Sequence, residues 1–386
     1  MLCAPLSWAN GRCLLPVRSC SCEVIASIYS VCSGSASSMW SLAAGPSQTK
    51  MGDFLNSTFA PNKSLGPYRC QFNEDFKYIL LPVSYGLVFV VGLVLNAVTL
   101  YVILFRTRSW TSSTIYMFNL TVCDTLYILT LPFLVYYYAD ENDWPFGEAL
   151  CKLIRFLFYA NLYGSILFLC CISLHRFLGI CYPVHSLGWV STRRARLVSA
   201  CVWLIVGVFQ APVLYFSRTH DDGTGVDRTC YDTTSEDLFD DFMVYTTAVS
   251  VLLFALPFMV LMVCYGLMVR KLLEPTQVGE GMGSSRCKQK SVKMIIIVLA
   301  VFMLCFLPFF LTRSLYYSFR YLDEQISCSQ LESASIAYKV TRPLASANSC
   351  LDPVLYFMAG QGFRRKITRR TKSRTPQKVK TLSTQL

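Results

Sequence analysis

Seven long apolar runs leave few folds open to this chain. Ile79–Phe105 passes 27 positions without a charged side chain. Ile115–Ala139 carries one, Asp124, while Phe156–Leu174, Leu197–Phe216, Phe242–Val269 and Met294–Thr312 carry none. The seventh run, Ala334–Ala359, holds Lys339, Arg342 and Asp352. A helix crossing a hydrocarbon core of about 30 Å needs about 20 apolar residues. Within lipid, every backbone N–H and C=O must be paired inside the segment, which leaves helices as the open-chain solution. Six runs reach that length unaided, and the seventh does so if its charges face inward. The expected fold is an all-α membrane protein, a seven-transmembrane helix bundle. Composition agrees: 54% of the 386 residues are apolar and 15% charged, where a soluble chain carries about 25% charged residues. That balance excludes an ordinary soluble enzyme, a coiled coil, a disordered chain and, despite a net charge of +12, a nucleic-acid binder.

The connections divide the charge by side. The first loop holds Arg106 and Arg108, and the third holds Arg176, Arg193, Arg194 and Arg196. The fifth is again basic by +4, and the tail after Ala359 has nine Lys/Arg and no acid. The second loop instead holds Asp140, Glu141, Asp143 and Glu148 against Lys152, and the fourth holds eight acids against Arg218 and Arg228. Basic loops stay in the cytoplasm, beside anionic membrane lipid. The N-terminus is therefore expected outside and the C-terminus inside, in a multi-pass plasma-membrane protein.

Asn56-Ser57-Thr58 and Asn62-Lys63-Ser64 are glycosylation sequons in the expected outer segment. From Met51 onward the outer cysteines are Cys70, Cys151, Cys230 and Cys328, an even number in an oxidising compartment. Four cysteines allow three pairings, and sequence alone does not choose. Residues 1–50 hold five cysteines and no spanning run, and read as an upstream extension or a gene-model artefact before a working start at Met51. The expected organisation is an extension over 1–50, an extracellular segment over 51–77, the bundle over 78–359 and a basic cytoplasmic tail over 360–386.

Four cations stand at membrane depth in outer helix halves. Arg155 is one turn below Cys151, Arg313 is five residues outward of Pro308, and Lys339 and Arg342 share a face of span seven. Ionisable residues at that depth usually face a bundle interior or a watery cavity. The plainer reading is snorkelling, or pairing with an outer-loop acid such as Asp232. Four such cations without acids in the same helix halves suit phosphate, because Arg forks to two oxygens and Lys supplies a point charge. Each charge-assisted bond is worth about 1.5–3 kcal/mol, so three or four supply most of the roughly 8 kcal/mol of a micromolar ligand. Asp124, a charge inside span two, reads as a buried ion or water site, with Asn96, Asn348, Ser349 and Asp352 able to join it in a polar network. A transporter is disfavoured by an odd number of spans and no repeated halves. No histidine pair suits a metal, and no catalytic constellation is visible, so neither an enzyme nor a metal site is expected.

A family resemblance rests on motifs in order. Gly92-x-x-x-Asn96 lies in span one, Leu120-x-x-x-Asp124 in span two, and Cys151 and His175-Arg176-Phe177 at the two ends of span three. Trp203 lies in span four, Pro257 and Tyr265 in span five, Phe302-x-x-Cys305-Phe306-Leu307-Pro308 in span six, and Asp352-Pro353-Val354-Leu355-Tyr356 in span seven. From about residue 75 to 372 the chain resembles a rhodopsin-like G-protein-coupled receptor. The strings Cys151–Tyr159 and Tyr338–Pro353, with Phe72–Lys77 and Tyr136-Tyr137-Tyr138, are similar to the metabotropic purinergic nucleotide receptors, most of all to the subtypes answering ATP and UTP.

The resemblance implies roles. Arg155, Arg313, Lys339 and Arg342 would hold the polyphosphate, with Tyr159 and Tyr163 near base or ribose and Asp232 ordering the acidic loop. It implies the disulfides Cys151–Cys230 and Cys70–Cys328, and a sodium ion near Asp124 in the resting state. Arg176, Tyr265 and Tyr356 would serve coupling to a heterotrimeric G protein, of the phospholipase C and calcium-release class. Phe310 stands where many members carry His, which removes a polar partner near the ligand. Ala139-Asp140-Glu141 stands where some relatives carry Arg-Gly-Asp, so integrin binding is not expected. The alternative ligand is another anion: a carboxylate, lipid or peptide. In the tail, Gly362–Thr371 reads as a basic amphipathic helix on the inner leaflet. The ending Ser383-Thr384-Gln385-Leu386 fits a PDZ-type groove, and Ser373 and Thr375 are candidate phosphosites.

Overall fold

Each apolar run becomes a helix because lipid offers its backbone no other partner. The computed structural model describes residues 70, 74–182, 191–221, 228–230, 234, 238–273, 296–322 and 326–359. Among them run seven long helices. Span one is Lys77–Arg106, span two Ser112–Ala139 and span three Gly147–Cys181. Span four is Thr192–Phe216, span five Phe239–Lys271 and span six Ile296–Tyr321. These six are long and apolar enough to cross a membrane. Span seven, Cys328–Ala359, meets the condition set by its charges. Arg342 and Asp352 are each 3% exposed, and the Lys339 side chain is also mostly covered.

Span one shows how sequence sets the facing. Leu81, Tyr85, Val88, Gly92, Asn96, Thr99 and Ile103 are buried, three or four residues apart. Ile79, Val83, Leu87, Val90 and Val94 are exposed. The outward face is apolar and mostly aliphatic, and the inward face carries the small and polar residues, as expected where lipid is as apolar as leucine and packing decides association. Gly92 permits a close approach: a Cβ there would lie 2.9 Å from Ile128 Cδ1 and 3.4 Å from Cys350 Sγ. Spans one, two and seven therefore meet at a residue without a side chain. Span three runs through the middle, with a nearly continuous buried stretch from Phe158 to Ile166.

Polar residues set the helix ends, and prolines set the irregular turns. The hydroxyls of Thr111 and Ser191 cap spans two and four by accepting from the backbone N–H three residues on. Span two breaks at Leu129–Thr130, just before Pro132, and resumes at Leu131. Spans five and six each widen into one π turn, Val251–Ala255 and Phe302–Phe306. Each π turn ends two residues before a proline, Pro257 or Pro308. Proline lacks an N–H and crowds the carbonyl four residues back, so the ladder is rewired over that turn. Pro353 behaves differently and sits inside a helix that stays continuous.

Outside the bundle, β1 (Thr219–Asp221) and β2 (Arg228–Cys230) form an antiparallel hairpin. The cysteines choose one of the three open pairings. Cys151 bonds Cys230, which ties β2 to the start of span three. Cys70 bonds Cys328, which ties the segment before span one to the start of span seven. The sequons at Asn56 and Asn62, residues 1–50, Asp232 and the tail from 360 lie outside the described residues, as does the side chain of Tyr356.

Substituting Gly92→Leu should destabilise the bundle by about 1–3 kcal/mol through overpacking. Gly86→Leu should not, because nothing lies within 4 Å of the Cβ it would add. Thermal unfolding of both purified variants in one detergent checks this, with a fall in midpoint for the first alone.

Candidate functional site

Near the end of the bundle that carries both disulfides, spans three, six and seven each bring one guanidinium inward. Arg155, Arg313 and Arg342 are 3%, 4% and 3% exposed. Arg155 Nη2 donates to the Cys230 carbonyl at 3.1 Å, so the disulfide that fixes β2 also fixes this partner. Arg313 Nη1 donates to the Tyr163 hydroxyl at 3.3 Å, and its Nη2 donates to the Thr246 hydroxyl. The Arg313 guanidinium also lies over the rings of Tyr159 and Tyr317, at 4.8 and 5.3 Å. Arg342 Nη1 donates to the Tyr138 hydroxyl at 3.2 Å, and its guanidinium lies 5.6 Å from the Tyr338 ring.

These contacts join the three cations in one circuit. Tyr137 donates to the same Cys230 carbonyl as Arg155, at 3.2 Å, and its ring meets Tyr138. Tyr138 leads to Arg342, Arg342 to Tyr338, and Tyr338 to Tyr317. Tyr317 leads to Arg313, and Arg313 to Tyr159, one turn from Arg155 on span three. The partners of Arg313 are hydroxyls and rings, neutral groups that hold a guanidinium in place without cancelling its charge. An anion entering this mouth meets preset donors on three helices.

The fourth cation is held differently. Lys339 forms a salt bridge with Glu74, which lies just before span one. Glu74 also takes a bond from Lys77 Nζ at 3.1 Å and one from the Ser335 hydroxyl at 3.1 Å. Burial pushes the Glu74 carboxyl up, but Lys339 and Lys77 outweigh it and hold the group below the usual carboxylate range. So the plainer expectation, pairing with an outer acid, describes Lys339 in this structure, and the acid is Glu74 rather than a loop residue. In the sequence Glu74 lies inside a string that carries the family likeness, and no local signal pairs it with a lysine 265 positions away.

Tyr163 and Phe310 sit beside the circuit. Tyr163 serves as the acceptor for Arg313 and also bonds Ser250 at 3.2 Å. Phe310 stacks on Phe254 with centroids 4.0 Å apart and is buried against Phe309 and Tyr163. Packed aromatic rings thus fill the place where many family members carry His. Thr246, Tyr138, Tyr317 and Tyr338 complete the site. Sequence reading did not assign them, because on an apolar helix a tyrosine that packs and one that bonds a cation look alike.

Deeper in the bundle lies the second polar cluster. Asp124 Oδ1 accepts from Asn161 Nδ2 at 2.8 Å and from the Ser165 hydroxyl at 3.4 Å. Ser349 donates to Asn161 Oδ1 at 3.3 Å and to Asn348 Oδ1 at 3.5 Å. Asn96 donates to the Ser349 carbonyl at 2.8 Å. Asp124 Oδ2 and both Asp352 carboxylate oxygens are buried with no hydrogen-bond partner among the described residues. Buried carboxylate oxygens left so are costly, and these suit a small cation. Asn161 and Ser165 are the members that sequence reading missed; both lie on span three, facing Asp124. At the inner end, Tyr265 shares a 2.5 Å bond with Ser173, three residues before Arg176.

Comparison with known proteins agrees with this geometry. The model of the "7 transmembrane receptor (rhodopsin family)" matches residues 95–356. The Y-type purinoceptor 2 of Mus musculus is 60% identical over 294 residues, which is 76% of this chain and 78% of that protein. The Y-type purinoceptor 2 of Homo sapiens is 59% identical over 309 residues, or 80% of each chain. The Y-type purinoceptor 4 of Homo sapiens is 51% identical over 307 residues, covering 80% of this chain and 82% of that one. With its bundle, its paired disulfides and its basic mouth, the chain belongs to the rhodopsin family of seven-transmembrane receptors and, within it, to the Y-type purinoceptors.

Proposed function

We propose that this receptor, which is not an enzyme, answers extracellular nucleotides of the ATP and UTP kind and passes the signal to a heterotrimeric G protein. The observation that carries the reading is the circuit of three buried guanidiniums, Arg155, Arg313 and Arg342, from three separate spans. Polyphosphate has the charge and the several oxygens that such a circuit suits, and Tyr159 and Tyr163 offer ring faces for a base or ribose. The chain lies in the plasma membrane with its N-terminus outside, glycosylated at Asn56 and Asn62. Its basic inner loops rest on anionic lipid.

Signalling follows from differential affinity. A ligand shifts the helix arrangement only as far as it binds one arrangement better than the other. Phosphate drawing Arg313 toward Arg155 and Arg342 acts on span six, whose π turn at Phe302–Phe306 is the weak point of its ladder. Span six meets span five there through Phe258 and Phe302, so a shift in one repacks the other. At the inner end Arg176, Tyr265 and Tyr356 meet the G protein, in the class that releases calcium through phospholipase C. A sodium ion fits the oxygens of Asp124, Ser165, Ser349 and Asp352, where it balances buried negative charge in the resting state.

Arg342→Ala should raise the half-maximal ATP or UTP concentration by about one to two decades, in line with the loss of one charge-assisted contact. Calcium release in cells without their own nucleotide receptors reads this. A silent wild-type receptor, or unchanged potency in the variant, contradicts the reading. Asp124→Asn should abolish the sodium dependence of nucleotide affinity. Competition binding on membranes in sodium and in choline chloride checks this: affinity falls in sodium for the wild type and stays level for the variant.

A further inference from the structure

Glu74 is the one acid among the described residues that meets a cation of the ligand mouth and can be followed contact by contact. It belongs to the short segment between Cys70 and span one. The Cys70–Cys328 disulfide fixes the start of that segment to the start of span seven. From Cys328 the helix carries Ser335 and then Lys339, four residues apart and so on one face. Both side chains turn to the same carboxyl oxygen, Glu74 Oε1. The other oxygen, Oε2, is held by Lys77. Glu74 is thus shared, with Ser335 and Lys339 on one oxygen and Lys77 on the other. Three residues further along span seven stands Arg342, a member of the guanidinium circuit.

A carboxylate held on a lysine by a tethered segment occupies the place that a phosphate oxygen would take. Both groups are anionic acceptors, and an ammonium is a point charge that accepts either. The tether keeps the carboxylate at high effective concentration, so a ligand must compete with it on every binding event. Resting on the nucleotide reading above, we infer that Glu74 is a built-in competitor for Lys339 that sets the receptor's affinity for polyphosphate ligands. In the free receptor Lys339 is committed to Glu74. Bound phosphate takes Lys339 over, and Glu74 swings back onto Lys77. The apparent affinity of the ligand is lowered by the fraction of receptors in which Lys339 is committed. The segment before span one thus becomes a determinant of sensitivity without touching the ligand itself.

The test is competition binding of ATP and UTP on membranes carrying the full-length receptor, with surface level measured for each variant. Glu74→Gln keeps shape and removes the charge. Its affinity should rise by about two- to five-fold, the range of a partly exposed ion pair. Lys339→Ala should bind more weakly than wild type, and the double variant should match Lys339→Ala alone. A purely structural role for Glu74 predicts loss rather than gain, and the same loss in both backgrounds. Equal or weaker binding by Glu74→Gln overturns the inference, as does an equal gain on the Lys339→Ala background. If Glu74→Gln fails to reach the surface, Ser335→Ala loosens the carboxylate with all charges kept. It should then give a gain of about two-fold that needs Lys339, and no gain overturns the inference. A wild-type receptor that binds neither nucleotide refutes the functional reading itself, whereas normal wild-type binding with an unchanged Glu74→Gln refutes only this step.

Discussion

Taking a guanidinium out of water costs several kcal/mol unless its charge is compensated, and this bundle does so at Arg155, Arg313 and Arg342. The rest of the outer half is arranged around that cost. Tyrosine hydroxyls and ring faces from spans two, three, six and seven surround the three side chains. The Cys230 carbonyl, brought in by a hairpin, takes the bond of Arg155. The hydroxyls and ring faces around Arg313 are neutral partners, which offset part of the penalty without cancelling its charge. A site of this kind is poised for an anion with several oxygens, because the ligand brings negative charge to groups already aimed at one mouth.

The same economy of charge appears at the centre of the bundle with opposite sign. Asp124 and Asp352 are buried with three carboxylate oxygens lacking partners among the described residues. A cationic mouth and a carboxyl-lined core lie along the same helices, spans three and seven contributing to both. Between them stand the π turns of spans five and six and a shelf of stacked phenylalanines, Phe254, Phe258, Phe302 and Phe310. Rings can slide over one another at little cost, whereas bonds around buried charge are kept or lost as units.

Sequence alone carried the fold almost completely, because lipid makes composition and structure nearly the same statement. An uncharged run of 27 residues such as Ile79–Phe105 has one stable form in a membrane, and Lys77–Arg106 adopts it. The charges of span seven were legible too, since Arg342 and Asp352 have only the interior to face. Partnership was less legible. The four mouth cations could be listed, but that Lys339 is taken by Glu74 depends on a disulfide folding a segment back over 258 positions. That Phe310 stacks on Phe254 depends on how two π turns align. Asn161 and Ser165 look like ordinary polar residues in an apolar helix until packing places Asp124 beside them. Pairings across helices are set by rotation and tilt, and a run of apolar residues carries no record of either.

The most direct measurement is a cryo-electron-microscopy map of the receptor with bound UTP or ATP. The phosphate chain is expected within hydrogen-bond distance of the guanidiniums of Arg155, Arg313 and Arg342, in the circuit of tyrosines that already joins them. Density for the phosphates elsewhere, with the three guanidiniums still held by their neutral partners, would contradict it.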